Sequence, residues 1–234
     1  HKAIRRQRQM CIRDRHYLDN YAIHRSCTTI HYYMCELGLR SIVRRKKPSY
    51  VLGTAHKVFP NLLNRQFTAD APNKIWCTDF TYLPEKNGNM RYNCTIIDLY
   101  DRSAVATLDG AHITTELAIE TLNIALKRCK PAKGLILHSD QGRQFTAKEF
   151  NDFCKKNHIQ QSMSKAGCPY DNSPMERFYN TLKNEFFNLY HFKSTEELDQ
   201  KLYDFVYVKY NHVRPHSYNG GLTPYACLLY TSPS

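Results

Sequence analysis

Three carboxylates stand where a folded chain has little reason to put charge. Asp79 lies inside IWCTDFTYL (75–83), a stretch with no other charge. Asp140 follows Leu135 to His138 in LILHSDQGRQF (135–145), where an apolar run breaks at Ser139-Asp140-Gln141-Gly142. Glu176 falls in the first turn of an amphipathic stretch that opens Ser173-Pro174. A carboxylate inside a central strand is costly unless it is paired or binds a cation. Strand ends at the edge of an α/β sheet are where ligands bind. Each acid also has a plainer account. Asp79 could face solvent on an edge strand, Asp140 could make an Asx turn into Gln141-Gly142, and Glu176 could close a capping box with Ser173. None of these accounts explains the three together.

The elements that must position them follow from periodicity. IWCTDFTYL alternates and is rich in aromatic and β-branched residues, as a strand is. Asn87-Gly88 signals a hairpin turn, RYNCTIIDL (91–99) returns as a second strand, and SAVATLDG (103–110) is a third. An amphipathic helix is expected over 114–129, stopped by Pro131 and Gly134, then a strand over 135–138. A helix over 146–157, a strand over 159–164 and helices over 173–190 and 195–210 complete the order β-β-β-α-β-α-β-α. This predicts an α/β layer fold with a partly antiparallel sheet. Phe178, Leu182 and Phe186 form the expected packing face of the 173–190 helix. Upstream, Ser26 can cap a helix over 26–38 that Gly38 ends, with Ile30, Tyr33, Met34 and Leu37 on one face. His24, Cys27, His31 and Cys35 are zinc-ligand types, but along one helix they span about 16 Å, too far for a single ion.

Between Asp140 and Glu176 lie 35 residues. Asp, Asp, then Glu at that spacing resembles the signature of retroviral-type integrases and related bacterial transposases. WCTDFTYL, IIDLYDRSAVA, LILHSDQGRQF, GCPYDNSPMERFYNTLKNE and YNHVRPHSYNGGLTP resemble, in order, the motifs of the larger-frame transposase of a bacterial insertion-sequence family. The resemblance runs from about residue 28 to 225. It implies a ribonuclease-H-like mixed sheet flanked by helices, with a small helical N-terminal segment. It also implies a polynucleotidyl transferase of the DDE class, with Asp79, Asp140 and Glu176 as catalytic and metal-binding triad. Magnesium takes oxygen ligands rather than His or Cys. Two such ions about 3.5–4 Å apart can activate the attacking oxygen and stabilise the leaving one in a displacement at phosphorus; manganese is expected to substitute. Lys183, seven residues after Glu176, matches a basic residue that contacts the DNA end in similar enzymes. Tyr179 and Asn180 lie between them and are expected at the substrate backbone, with Arg214 and His216 at phosphates. His138 either braces Asp140 or is a satisfied structural histidine.

Charge agrees with a nucleic-acid partner. Residues 1–72 hold 14 Lys/Arg against 4 Asp/Glu, and the rest 19 against 17. Arg44, Arg45, Lys46 and Lys47, followed by Pro48, read as a phosphate-contacting arm or a solvated linker. QMCIRDR (9–15) and CLLYTSPS (227–234) fit no neighbouring element and resemble peptides translated from sequencing-adapter DNA. The expected division is therefore a non-native 1–15, a partial helical DNA-binding segment at 16–47, a linker at 48–72, an integrase-type core at 73–226 and a non-native tail at 227–234. The chain begins with His1 and is expected to be a fragment. Nine cysteines without a CxxC pair, and no run of 18 apolar residues, suggest a cytoplasmic protein with no membrane span; the resemblance implies a bacterial, nucleoid-associated one. Expected partners are double-stranded DNA at element ends and target, further copies of the chain on that DNA, and the helix-turn-helix protein of an upstream frame. Another ribonuclease-H-like nuclease and a non-catalytic DNA-binding remnant stay open as rivals.

Overall fold

The computed structural model describes residues 2–41, 58–85 and 90–231. Arg44 to Lys47, residues 48–57 of the 48–72 linker and the Asn87-Gly88 turn lie outside the described residues. Two compact units divide the chain, His1–Val51 with His212–Ser234, and Leu52–Asn211.

In the first unit α1 (Lys2–Asn20) and α2 (Cys27–Glu36) pair around Cys11, Ile30 and Met34. The helix α1 runs through the stretch that matched no element in the sequence. Ser26 caps α2, its hydroxyl accepting from Thr29 N at 3.0 Å, and Gly38 takes φ 67° beyond its end. Tyr33 and Leu37, expected on the buried face, are exposed. One apolar face of so short a helix covers fewer residues than the periodicity allows.

The second unit is built on a five-stranded sheet in the order β3-β2-β1-β4-β5. Its strands are β1 (Ile75–Pro84), β2 (Met90–Asp98), β3 (Ala104–Gly110), β4 (Ile136–Ser139) and β5 (Gln160–Met163). The first three pair antiparallel through short turns, while β4 and β5 add in parallel beside β1. Parallel addition needs crossover helices, and these are α3 (Thr115–Cys129), α4 (Arg143–Thr146) and α5 (Lys148–Lys156). Thr114 caps α3 by accepting from Leu117 N at 3.1 Å.

Alternation splits the core into two layers. Trp76, Phe80, Cys94, Ile96 and Leu137 pack with Leu122, Ala125, Phe145 and Phe150 on the α3 and α5 side. Cys77, Leu83, Ile97 and Leu99 pack on the other side. There they meet α6 (Ser173–Leu182) and α7 (Thr195–Tyr203), through Met175, Phe178, Leu182, Leu198 and Leu202. The expected 173–190 helix is α6 followed by a wider π-type stretch, Lys183–Phe187. A second π-type stretch, Asp204–Val213, follows α7; α8 (Pro224–Thr231) comes last.

The turn after β2 is held by a buried acid. Asp98 accepts from Asn73 N at 2.6 Å and from Tyr100 N at 2.8 Å. Burial pushes its carboxyl up to about 6, against those two N–H donors. The unfolded chain ionises Asp near 3.9, so the folded state binds more protons in between. Stability therefore falls as pH rises from about 4 to 6 and levels off above. Urea midpoints over pH 4–7 should show that slope in the wild type and a shallower one in Asp98→Asn. Equal slopes would assign it elsewhere.

Candidate active site

The sheet register puts two of the three carboxylates on one face. Cys77 of β1 sits opposite His138 of β4 in a parallel pair. Two residues on from each are Asp79 and Asp140. Because side chains alternate, both project to the face that Cys77 and His138 share, beneath α6, on strands about 4.8 Å apart. Asp79 and Asp140 are half-buried, while Glu176 is exposed on α6.

Electrostatics links these groups. Asp79 is pushed well above the usual carboxylate range, first by burial, then by the Asp140 carboxylate, with Glu176 adding to it. Phe80 N, which donates to Asp79 Oδ1 at 2.8 Å, and the Lys183 ammonium pull the other way. Burial also raises Asp140, against a hydrogen bond from Gly142 N at 2.9 Å. That bond is the Asx turn of the plainer account, and it fixes one carboxylate oxygen while leaving the other available. The capping box does not form. Ser173 is already helical, no side chain caps α6, and Asn172 at the cap position spends its amide on Thr78 O at 3.3 Å.

Among the described residues, no three His, Cys, Asp or Glu side chains are close enough to hold a metal ion. Asp79 and Asp140 are brought to one face, with Glu176 and Lys183 in electrostatic reach of Asp79. The triad does not close into a ready-made cage. The donor set still suits a hard divalent cation, since it is all oxygen. A carboxyl held up by burial and by neighbouring carboxylates, as Asp79 is, is what a bound cation would relieve.

Tyr179 is not at the surface. It is buried, and its hydroxyl sits between β1 and β2 at the Asp79–Thr95 pair, accepting from Thr95 N at 3.1 Å and donating to Asp79 O. The expected contact with DNA is corrected to a peg between α6 and the strand of Asp79. Asn180 and Lys183 are half-buried, and the π-type stretch begins at Lys183. Such widenings are frequent at functional sites. Arg214 and His216 are 6% and 8% exposed. His216 opens a turn, its N donating to Leu222 O at 3.0 Å, and burial takes both side chains off the free surface.

His138 is fully buried. Asp171 O, a carbonyl, can only accept, so the 2.8 Å contact places the proton on His138 Nε2, and Nδ1 accepts from Ser162 Oγ at 2.8 Å. Burial holds the ring pKa below its usual value, which keeps it neutral. The histidine braces β4 two residues before Asp140. Sequence reasoning missed Asp171 and Asn172. Their signal was the polar pair inside GCPYDNSPMERF, directly ahead of the helix that Ser173-Pro174 opens.

Two models described as an integrase core domain match residues 69–169 and 157–224, about two thirds of the chain together. The chain belongs to the integrase core family. Its sequence groups with insertion-sequence transposases within it. The transposase for insertion sequence element IS904 of Lactococcus lactis subsp. lactis is 39% identical over 158 residues, 68% of this chain and 62% of that protein. Transposase InsF for insertion sequence IS3A of Escherichia coli K12 is 36% identical over 189 residues, 80% of this chain and 65% of that one. The chain thus spans just under two thirds of the length of these relatives. The integrase core also has solved structural counterparts. The HTLV-2 integrase catalytic core domain in complex with magnesium superposes with TM-score 0.52 at 18% identity, covering 67% of this chain and 96% of that one. A chain of the simian T-cell lymphotropic virus intasome with a PP2A regulatory subunit gives 0.57 at 20%, covering 89% and 68%. At such identities the likeness is one of fold, the ribonuclease-H-like mixed sheet. Among the described residues, no helix is long and apolar enough to cross a membrane.

Tyr179→Phe would leave Thr95 N and Asp79 O of the sheet without the hydroxyl. The expected cost is about 0.5–1.5 kcal/mol of stability, the net value of a hydrogen bond, read from urea unfolding. An unchanged midpoint would show that the hydroxyl contributes nothing to stability.

Proposed function

We propose that this chain carries the catalytic core of a DNA transposase, with Asp79, Asp140 and Glu176 as its catalytic carboxylates. The observation that carries the reading is the pairing of Asp79 and Asp140 on one sheet face beneath the helix of Glu176. The reaction is attack of water or a DNA 3′-hydroxyl on a phosphodiester, cleaving element ends and joining them to a target. Magnesium or manganese ions, two in the full reaction, supply Lewis-acid stabilisation of charge on the attacking and leaving oxygens.

The chain's own groups do the rest. Asp79 and Asp140 offer carboxylate oxygens from two neighbouring strands, held by the sheet and by the Gly142 N contact. Glu176, exposed on α6, lies within electrostatic reach of Asp79 and is the third donor to be drawn in. Lys183 sets a positive charge beside Asp79, suited to a DNA phosphate arriving at the carboxylates. Asn180, one turn before, is placed to touch the same backbone. Arg44, Arg45, Lys46 and Lys47 add a sequence-independent hold on DNA. The remaining partners are element-end and target DNA, further copies of the chain on it and the helix-turn-helix protein of an upstream frame. The setting is the bacterial cytoplasm at the nucleoid.

Supercoiled plasmid with manganese gives a test that needs no known ends. Asp79→Asn, Asp140→Asn and Glu176→Gln should each lower the rate of nicking by about 100-fold or more, the scale for losing one transition-state charge stabiliser. Wild-type rates in all three would remove the triad from the chemistry.

A further inference from the structure

The segment leading into the sheet is fastened to the loop between Asp140 and Glu176 through one buried carboxylate. Arg65 Nε donates to Asp171 Oδ1 at 2.7 Å, and Asn61 Nδ2 donates to Oδ2 at 3.1 Å. Lys165 N donates to the same Oδ2 at 3.1 Å, closing the loop on itself. Beside them Leu62 N donates to Ser162 Oγ at 2.9 Å. The Asp171 side chain is 3% exposed and that of Arg65 58%, so the clamp reaches from the surface to a buried anchor. Asn64 and Arg65 hold φ 45° and 66°, a left-handed conformation unfavourable for residues with a Cβ. A turn of that kind persists where its surroundings hold it.

The anchor and the residue after it join the elements that carry the carboxylates. Asp171 O accepts from His138 Nε2 at 2.8 Å, two residues before Asp140. The next residue, Asn172, donates to Thr78 O at 3.3 Å, beside Asp79. Helix α6 then starts at Ser173 and presents Glu176. An Asp171 that shifts would move the start of that helix against both strands.

We propose that Arg65 is a positioning residue. Its ion pair with Asp171 fixes loop 165–172, and through it the placement of Glu176 against Asp79 and Asp140. The linker before the core thereby becomes a control point for the site's hold on metal. This rests on the metal-binding reading of the triad given above. Arg65 touches none of the three carboxylates in any of these contacts.

The test pairs manganese calorimetry with amide hydrogen exchange on the whole chain. Arg65→Ala should weaken manganese binding by about 10-fold, the lower end for losing a residue that orients metal ligands. Exchange at residues 165–172 should speed up by about the same factor, while amides of β2 stay as slow as in the wild type. Arg65→Lys keeps the charge and should stay within about twofold of wild type in both readouts. Manganese affinity unchanged in Arg65→Ala, or lost equally in Arg65→Lys, would overturn the inference, because the pair would then be a brace with no bearing on the site. Wild-type chain that binds no manganese, or binds it equally in Asp79→Asn, would overturn the metal reading and this inference with it.

Discussion

The site depends on a single hydroxyl placed between two strands. Tyr179 reaches out of α6 and inserts its oxygen at the Asp79–Thr95 pair, accepting from one strand and donating to the other. Sliding or rotating the helix would break both of these contacts. This bond fixes the helix that carries Glu176, and leads into Lys183, to the residue that carries the Asp79 carboxylate. Met175, Phe178 and Leu182, buried on the same helix face, supply the apolar area that keeps the peg seated.

Around that peg the sheet imposes the second constraint. Parallel pairing of β1 with β4 brings the ends of two distant segments together, and alternation turns both aspartates to the α6 side. Burial, with the Asp140 carboxylate beside it, disfavours the charged form of Asp79 and raises its pKa. Such a cost is retained where a ligand relieves it. The fully satisfied His138, neutral and tied to Ser162 and Asp171, supplies a rigid base from which Asp140 projects.

Much of this was legible in the sequence because it is local. Alternation in IWCTDFTYL and RYNCTIIDL gave the antiparallel strands within a residue or two, and the Thr114 cap and Gly38 terminator stood where their types predicted. The Asp140 turn was visible in Ser-Asp-Gln-Gly. What was not legible depends on distant partners. Tyr179 looked like a surface residue because helical spacing places it near Glu176, and only the sheet beneath shows it buried. The capping box failed because Asn172 took the cap position and turned its amide to Thr78, a partner 94 residues away. The π-type widening at Lys183 carries no composition signal, since NTLKNEFF is an ordinary helical string. Arg65 and Asp171, 106 residues apart, form a pair that no local pattern announces.

The central claim is that Asp79, Asp140 and Glu176 converge on divalent metal. Anomalous diffraction at the manganese edge, on crystals of the chain with a short DNA duplex, tests it most directly, because the DNA phosphate completes the metal shell. The account predicts manganese against the Asp79 and Asp140 carboxylates with Glu176 drawn in, and its loss in Asp140→Asn. Three carboxylates bare of manganese beside bound DNA, or an ion indifferent to Asp140→Asn, would contradict it.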